Sequence, residues 1–205
     1  MDSLNVDNEQ LLLEAAEAEF LEKGYAKSRT TIIAKRAGVT HAMLHYYFKT
    51  KENLFEKVFR RKAHMMSSIM QLSVEQDLPF LDKIKLGVEN HFDFLVANSE
   101  LPNFIFSEVR VDDRLLAIFI EVVKEKSLPF LDKLQVEIDH EAAKGTIKQV
   151  EAYQVLLTIL SLNAFVFISL PVISNIIPSE NKTLDSYLAE RKRINVDLVL
   201  AMFGK

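Results

Sequence analysis

The sequence predicts an all-α fold of about nine helices, and three observations lead there. Apolar residues recur every three or four positions, as in Leu12, Ala16 and Phe20 or Leu54 and Val58, which is the period of one helix face. Only 5 Gly and 5 Pro occur in 205 residues, and several stand where a helix has to stop. A hydrophobic share of 49% is enough for a packed helical core in one or two domains.

The first helix starts from the cap-like Asp7-Asn8-Glu9 and runs to about Lys23, where Gly24 ends it. Ser28, Arg29 and Thr30 open a second helix; free N–H groups and hydroxyls at such a start suit a phosphate, or serve as plain capping. Ile33, Ala34 and Ala37 give that helix an apolar face. Gly38 permits the left-handed stop, Val39 plugs the corner, and Thr40 offers an oxygen to cap a third helix. Leu44 and Phe48, four apart, face inward, while His41, Ala42, Met43, His45, Tyr46 and Tyr47 spread over the remaining arc. Two short helices joined by a tight turn are a helix-turn-helix, whose second rod fits the DNA major groove.

The run 11–59 resembles the N-terminal DNA-binding domain of the tetracycline-repressor (TetR) family. Ala15-Ala16 with Phe20, Gly24-Tyr25, Ile33-Ala34, Ala37-Gly38-Val39-Thr40, Leu44, Tyr47-Phe48 and Lys51-Glu52-Asn53-Leu54-Phe55 carry the likeness. His41 stands where that family often has Lys, and His45 where it usually has Tyr. The rest of the chain is similar only in length and helical character. The resemblance implies a DNA-binding domain over residues 1–50 and an effector-binding and dimerisation domain over 51–205. It also implies a cytoplasmic homodimer on a palindromic operator, released by a small, largely apolar molecule that favours a body shape splaying the two heads apart.

Charge is divided unevenly. Residues 1–22 carry seven acids and no Lys or Arg, a net of −7; residues 23–62 carry 11 Lys or Arg against two Glu, +9; the remainder is −6. The positive block coincides with the helix-turn-helix, as phosphate binding requires. Arg29, Thr30, Thr40, Tyr47 and Lys51 are the phosphate candidates, and His41, Ala42, Met43, His45 and Tyr46 the base-edge candidates. Tyr47, next to Leu44 and Phe48 on the wheel, is alternatively half core. Because imidazole titrates near about 6.5, binding should tighten in mild acid if either histidine touches phosphate.

A fourth helix, 51–73, joins the head to the body, with Leu54 and Val58 inward and Phe55 a further candidate for that face. Pro79 reads as a first-turn residue of helix five. Pro129 kinks a long helix within 112–144 or separates two, and Gly145 ends that region. The hexapeptide at 78–83 recurs at 128–133, too little for a repeat architecture. Residues 155–177 are uncharged for more than 20 positions and weigh as a membrane span by length. Ser161, Asn163, Ser169, Pro171, Ser174, Asn175 and the lack of nearby basic flanks favour instead a helix buried in an oligomer, so no membrane is expected. With the last helix, about 184–203, it resembles the family's four-helix dimer interface.

No enzyme, cofactor or metal is expected: there is no Cys, no Gly-rich phosphate loop and no nucleophile elbow, and His41 with His45 lacks a third ligand. The N-terminus shows no signal peptide. For an effector, Phe92, Phe104, Phe106, Phe119 and Phe167 are wall candidates, with His64, His91, Glu108 and Asn163 as orienting polar groups. For each of these, simple packing or a satisfied buried polar group is the plainer reading. Rival readings are a regulator answering to a protein partner, and a membrane-attached sensor or enzyme that retains the head.

Overall fold

The computed structural model describes residues 2–69, 76–176 and 183–204, which form nine helices and no strand. They are α1 Asp2–Lys27, α2 Thr30–Arg36, α3 His41–Phe48, α4 Lys51–Ser68 and α5 Phe80–Ala97, then α6 Leu101–Val109, α7 Asp113–Ala143, α8 Ala152–Ile176 and α9 Leu184–Ala201. The chain divides into two compact units: Met1–Met65 with Phe104–Val122, and Met66–Asn103 with Val123–Lys205.

In the first unit, Leu12, Ala16 and Phe20 of α1 are fully buried, as are Ile33, Leu44, Leu54 and Phe59 of the next three helices, and α1 packs on α2. Phe20 meets Phe55 edge-on with ring centres 4.8 Å apart, and Phe55 continues the aromatic stack to Phe104 at 5.8 Å. Lys62 is buried and pairs with Glu17. Glu19, with no exposed side chain, takes Lys23 at 3.0 Å and Arg36 at 3.6 Å, so its charge is compensated where water is excluded.

In the second unit, α5, α8 and α9 pack on one another. Val88, Ile138, Val155, Ile159 and Val199 centre one apolar cluster; Phe92, Leu95, Val166, Phe167 and Leu188 make a second. The inward stripe of α8 is Ala152, Val155, Ile159, Asn163, Val166 and Phe167, spaced as one helix face. Its outward stripe, which includes Leu157, Phe165, Ile168, Val172 and Ile176, is exposed and equally apolar. Thr158, Ser161 and Ser169 donate to carbonyls one turn back, so these hydroxyls ask nothing of whatever covers that face. By length and composition α8 could cross a membrane.

Several boundaries differ from expectation. Helix α1 begins at Asp2, not at the cap-like Asp7, because nothing from Ser3 to Val6 breaks a helix. Pro79 is the N-cap of α5 rather than a member of its first turn, its carbonyl accepting from Lys83 N–H at 3.0 Å. Of the two alternatives at Pro129 the single longer helix is the one observed, α7 passing through the proline as one element. Residues 70–73 of the expected fourth helix and Ile177 lie outside the described residues.

Candidate nucleic-acid interface

Two glycines shape the reading head. Gly24 breaks α1 into two helical pieces with φ 71° and Gly38 turns the chain between α2 and α3 with φ 72°, backbone that a Cβ disfavours. Ser28 closes the first joint, its hydroxyl donating to Gly24 C=O at 2.7 Å. Thr40 caps α3, accepting from Met43 N–H at 3.3 Å. Leu44 and Phe48 anchor α3 in the core, which leaves His41, Ala42, His45 and Tyr46 exposed and Met43 and Tyr47 half-buried. Tyr46 is 66% exposed, with its ring edge-on to Tyr47. The half-buried state of Tyr47 puts it between the core and contact readings.

Both histidines of α3 are held. His41 Nε2 lies 2.9 Å from Thr30 Oγ1, which joins the starts of α2 and α3. His45 Nδ1–H donates to Lys49 C=O at 2.9 Å. That bond braces Lys49, whose φ of 64° and ψ of −54° are unusual for a side-chain-bearing residue. The imidazoles stand 4.5 Å apart at right angles. Among the described residues no group of three or more His, Cys, Asp or Glu could hold a metal.

The structure sorts the positive block. Lys57 pairs with Glu9, Arg61 and Lys62 with Glu17, Lys23 with Glu19, Arg36 with Glu19 and Glu22, and Arg60 with Glu121. Most of the acids thus engaged lie on α1, where Glu9, Glu17, Glu19 and Glu22 neutralise part of the block. Lys27, Arg29, Lys35, Lys49 and Lys51 make no ion pair among the described residues. They flank or lie on the two helices of the motif, where they add positive potential. Lys27, Lys35 and Lys49 are not among the sequence candidates; the signal for them is their place in the basic block 23–62, which does not tell them from the paired cations.

Lys51 opens α4, its ammonium 4.4 Å over the Tyr25 ring. The Tyr25 hydroxyl donates to Glu52. Burial, and then that bond, push its pKa up to about 12, so the proton stays on the tyrosine; the same bond holds the Glu52 carboxyl below its usual range.

The effector candidates fall into separate surroundings. Phe104 is stacked between Phe55 and Phe59, and half-exposed Phe106 lies edge-on to Phe119. Glu108 accepts from Tyr25 N–H at 3.3 Å. His64 is partly buried near the end of the first unit. In the second unit Phe92 packs on Phe167 at 5.5 Å. There Asn163 Nδ2 donates to Val88 C=O at 3.0 Å and to His91 Nδ1 at 3.1 Å, while its Oδ1 accepts from Asn195 Nδ2 at 2.8 Å. Asn195, the buried member that sequence did not suggest, keeps an unpartnered Oδ1. Nearby apolar space bounded by Phe80, Ile84, Gly87, Phe130, Val155 and Ile159 amounts to about 10 Å³, room for a single water at most.

Comparison with known proteins agrees with this geometry. Residues 12–58 match the model of bacterial regulatory proteins, tetR family. The fatty acid metabolism regulator protein of Bacillus subtilis is 28% identical over 99 residues, 48% of this chain and 51% of that protein. The transcriptional activator FasR of Mycolicibacterium smegmatis is 28% identical over 113 residues, 55% of this chain and 51% of its own length. The chain thus spans about half the length of these curated relatives. Its fold is similar to that of FadR from Bacillus subtilis, solved in complex with stearoyl-CoA, at a TM-score of 0.68 and 20% identity over 95% of this chain and 98% of that one.

Proposed function

We propose, from the premise that the chain is a TetR-family transcriptional regulator, that it is a homodimer whose two heads bind a palindromic operator and let go when the body takes up a small, largely apolar effector. The observation that carries the DNA reading is the charge sorting: five cations that make no ion pair among the described residues flank or lie on a capped helix-turn-helix whose second helix exposes His41, Ala42, His45 and Tyr46. Release by an apolar ligand rests on analogy with the FadR relative solved with stearoyl-CoA, which makes long-chain acyl thioesters the first effectors to try. Repression is the sign that the resemblance to the tetracycline-repressor family implies, and the activator FasR marks the opposite sign as an open outcome. The small volume of that space, about 10 Å³, favours a second reading, in which the body answers to a protein partner. Footprinting the purified protein on genomic fragments, with and without acyl-CoA, decides between them: protected sites that acyl-CoA clears support effector release, and protection it never alters supports the partner.

Positioning and reading contacts should separate on mutation. Tyr46→Ala is expected to weaken specific binding by about 1–3 kcal/mol per head, in the range of a lost base contact. Lys51→Ala should weaken all duplexes alike and lower the salt slope by about one per head. Gel-shift titrations on operator and random duplex across salt check both; equal loss on the two DNAs for Tyr46→Ala would contradict its reading role.

The dimer reading places the outward apolar stripe of α8 against a second copy, with α9 beside it. Phe165→Glu, at a site 65% exposed in one protomer, should leave the fold intact and shift sedimentation to monomer. A variant that sediments like the parent would remove α8 from the interface. Half-site pairing depends on that interface, so operator affinity should fall with it.

A further inference from the structure

We propose that Glu108 is a positioning residue for DNA binding, which through Tyr25 sets the place of the Lys51 ammonium. The inference rests on the reading of the first unit as a DNA-binding head.

The chain of contacts starts at Gly24. Its φ of 71° and ψ of 172° take Tyr25 out of the α1 hydrogen-bond ladder, so the Tyr25 N–H needs another acceptor. It finds Glu108 Oε1 at 3.3 Å, brought by α6 from 83 positions along the chain. The same oxygen lies 3.5 Å from where a Cβ on Gly24 would stand, so the carboxylate sits directly against the turn. Backbone held in this way fixes the Tyr25 ring, which rests on Phe55 at 4.8 Å. The ring in turn carries the Lys51 ammonium at 4.4 Å. Thr50 completes the support, its Oγ1 accepting from Asn53 N–H at 3.1 Å at the start of α4. A lysine already held over a ring gives up less side-chain entropy when it meets a phosphate than one moving freely in water.

Simple electrostatics predicts the opposite effect for this residue. A carboxylate in a head that binds a polyanion opposes binding, so deleting it should tighten the complex. Positioning predicts that deletion loosens it. The sign of the change separates the two accounts.

The experiment titrates the full chain against a random-sequence duplex by fluorescence anisotropy at several salt concentrations, since a phosphate contact does not require the operator. Glu108→Ala should bind about 3- to 10-fold more weakly than the parent, with a shallower salt slope. Glu108→Gln keeps a carbonyl acceptor and should return to the parent affinity or better. In a Lys51→Ala background, Glu108→Ala should change nothing further, because the group it positions is gone. Should the alanine chain fail to fold, Glu108→Leu, similar in bulk but without an acceptor, takes its place with the same expected loss. Affinity equal to or tighter than the parent for the alanine or leucine variant overturns the proposal, and so does an undiminished loss in the Lys51→Ala background. If the parent itself ignores every duplex at low ionic strength, the DNA reading fails instead.

Discussion

Phe20→Ala should cost the first unit about 3–5 kcal/mol, the range for emptying a buried aromatic site. Phe20 has no exposed surface, and its ring stands edge-on to Phe55 at 4.8 Å. Phe55 also contacts Tyr25, Phe59 and Phe104, so the ring removed is the one that ties α1 to an aromatic stack running through the unit. Neighbours already packed on one another cannot slide in to refill the space, which places the loss toward the upper end of the range. Domain stabilities are about 5–15 kcal/mol, so the head would approach its unfolding midpoint at ordinary temperature. On the proposed reading DNA binding would fall with it, although Phe20 is fully buried and cannot itself touch DNA. The chain has no Trp, so urea unfolding is best followed by far-UV circular dichroism. A midpoint shift worth less than about 1 kcal/mol would show that the site collapses freely and that the stack is looser than its distances suggest. Tyr46→Ala, at an exposed site, is the matched control and should leave the midpoint unchanged.

Local rules recovered most of the head. Gly24 and Gly38 adopt the positive φ that their place in the chain required, Thr40 caps α3, and the four-residue spacing of Leu12, Ala16 and Phe20 is a buried face. Each depends on residues close in sequence, where backbone geometry leaves few options. The opening of α1 was misjudged because a favourable cap at Asp7 does not stop a helix that already has nothing to break it. The sequence allows Pro129 a kink or a break, and the surrounding run of helix formers carries α7 across it.

Charge was legible as a block and not as pairs. Residues 23–62 were visibly basic, but which cations face α1 depends on how α1 and α4 lie together, as with Lys57 and Glu9, 48 positions apart. The effector candidates show the same limit more strongly. Phe104, Glu108, His91 and Asn163 share suitable chemistry, yet in the fold Phe104 belongs to an aromatic stack, Glu108 serves a backbone N–H, and the other two join a network with Asn195. Composition gives the kind of group a site could use; it carries no information on which partner claims it first.

That network makes the second unit sensitive to acid. His91 is almost fully buried, and burial pushes its pKa down from 6.5 to about 4. Nδ1 faces the Asn163 amide nitrogen, so it accepts there and the ring proton belongs on Nε2. Charging the ring would set donor against donor, and turning the Asn163 amide to relieve this would lose its bonds to Val88 and Asn195. The native state therefore takes up this proton only near pH 4, whereas the unfolded chain takes it up near 6.5. Stability from this residue is complete above about 6.5, declines as the pH falls, and is lost by about 3 kcal/mol at pH 4 and below. About 2 kcal/mol of that should be gone by pH 5. Carboxylates add their own acid dependence, so the measurement is a difference: urea midpoints of the parent and of His91→Phe at pH 7.5 and pH 5. The variant should start less stable, since Asn163 loses an acceptor, and should fall less steeply than the parent between the two pH values. Parallel decline in both chains would mean that His91 is protonated in the native protein, and the neutral network drawn here would be wrong.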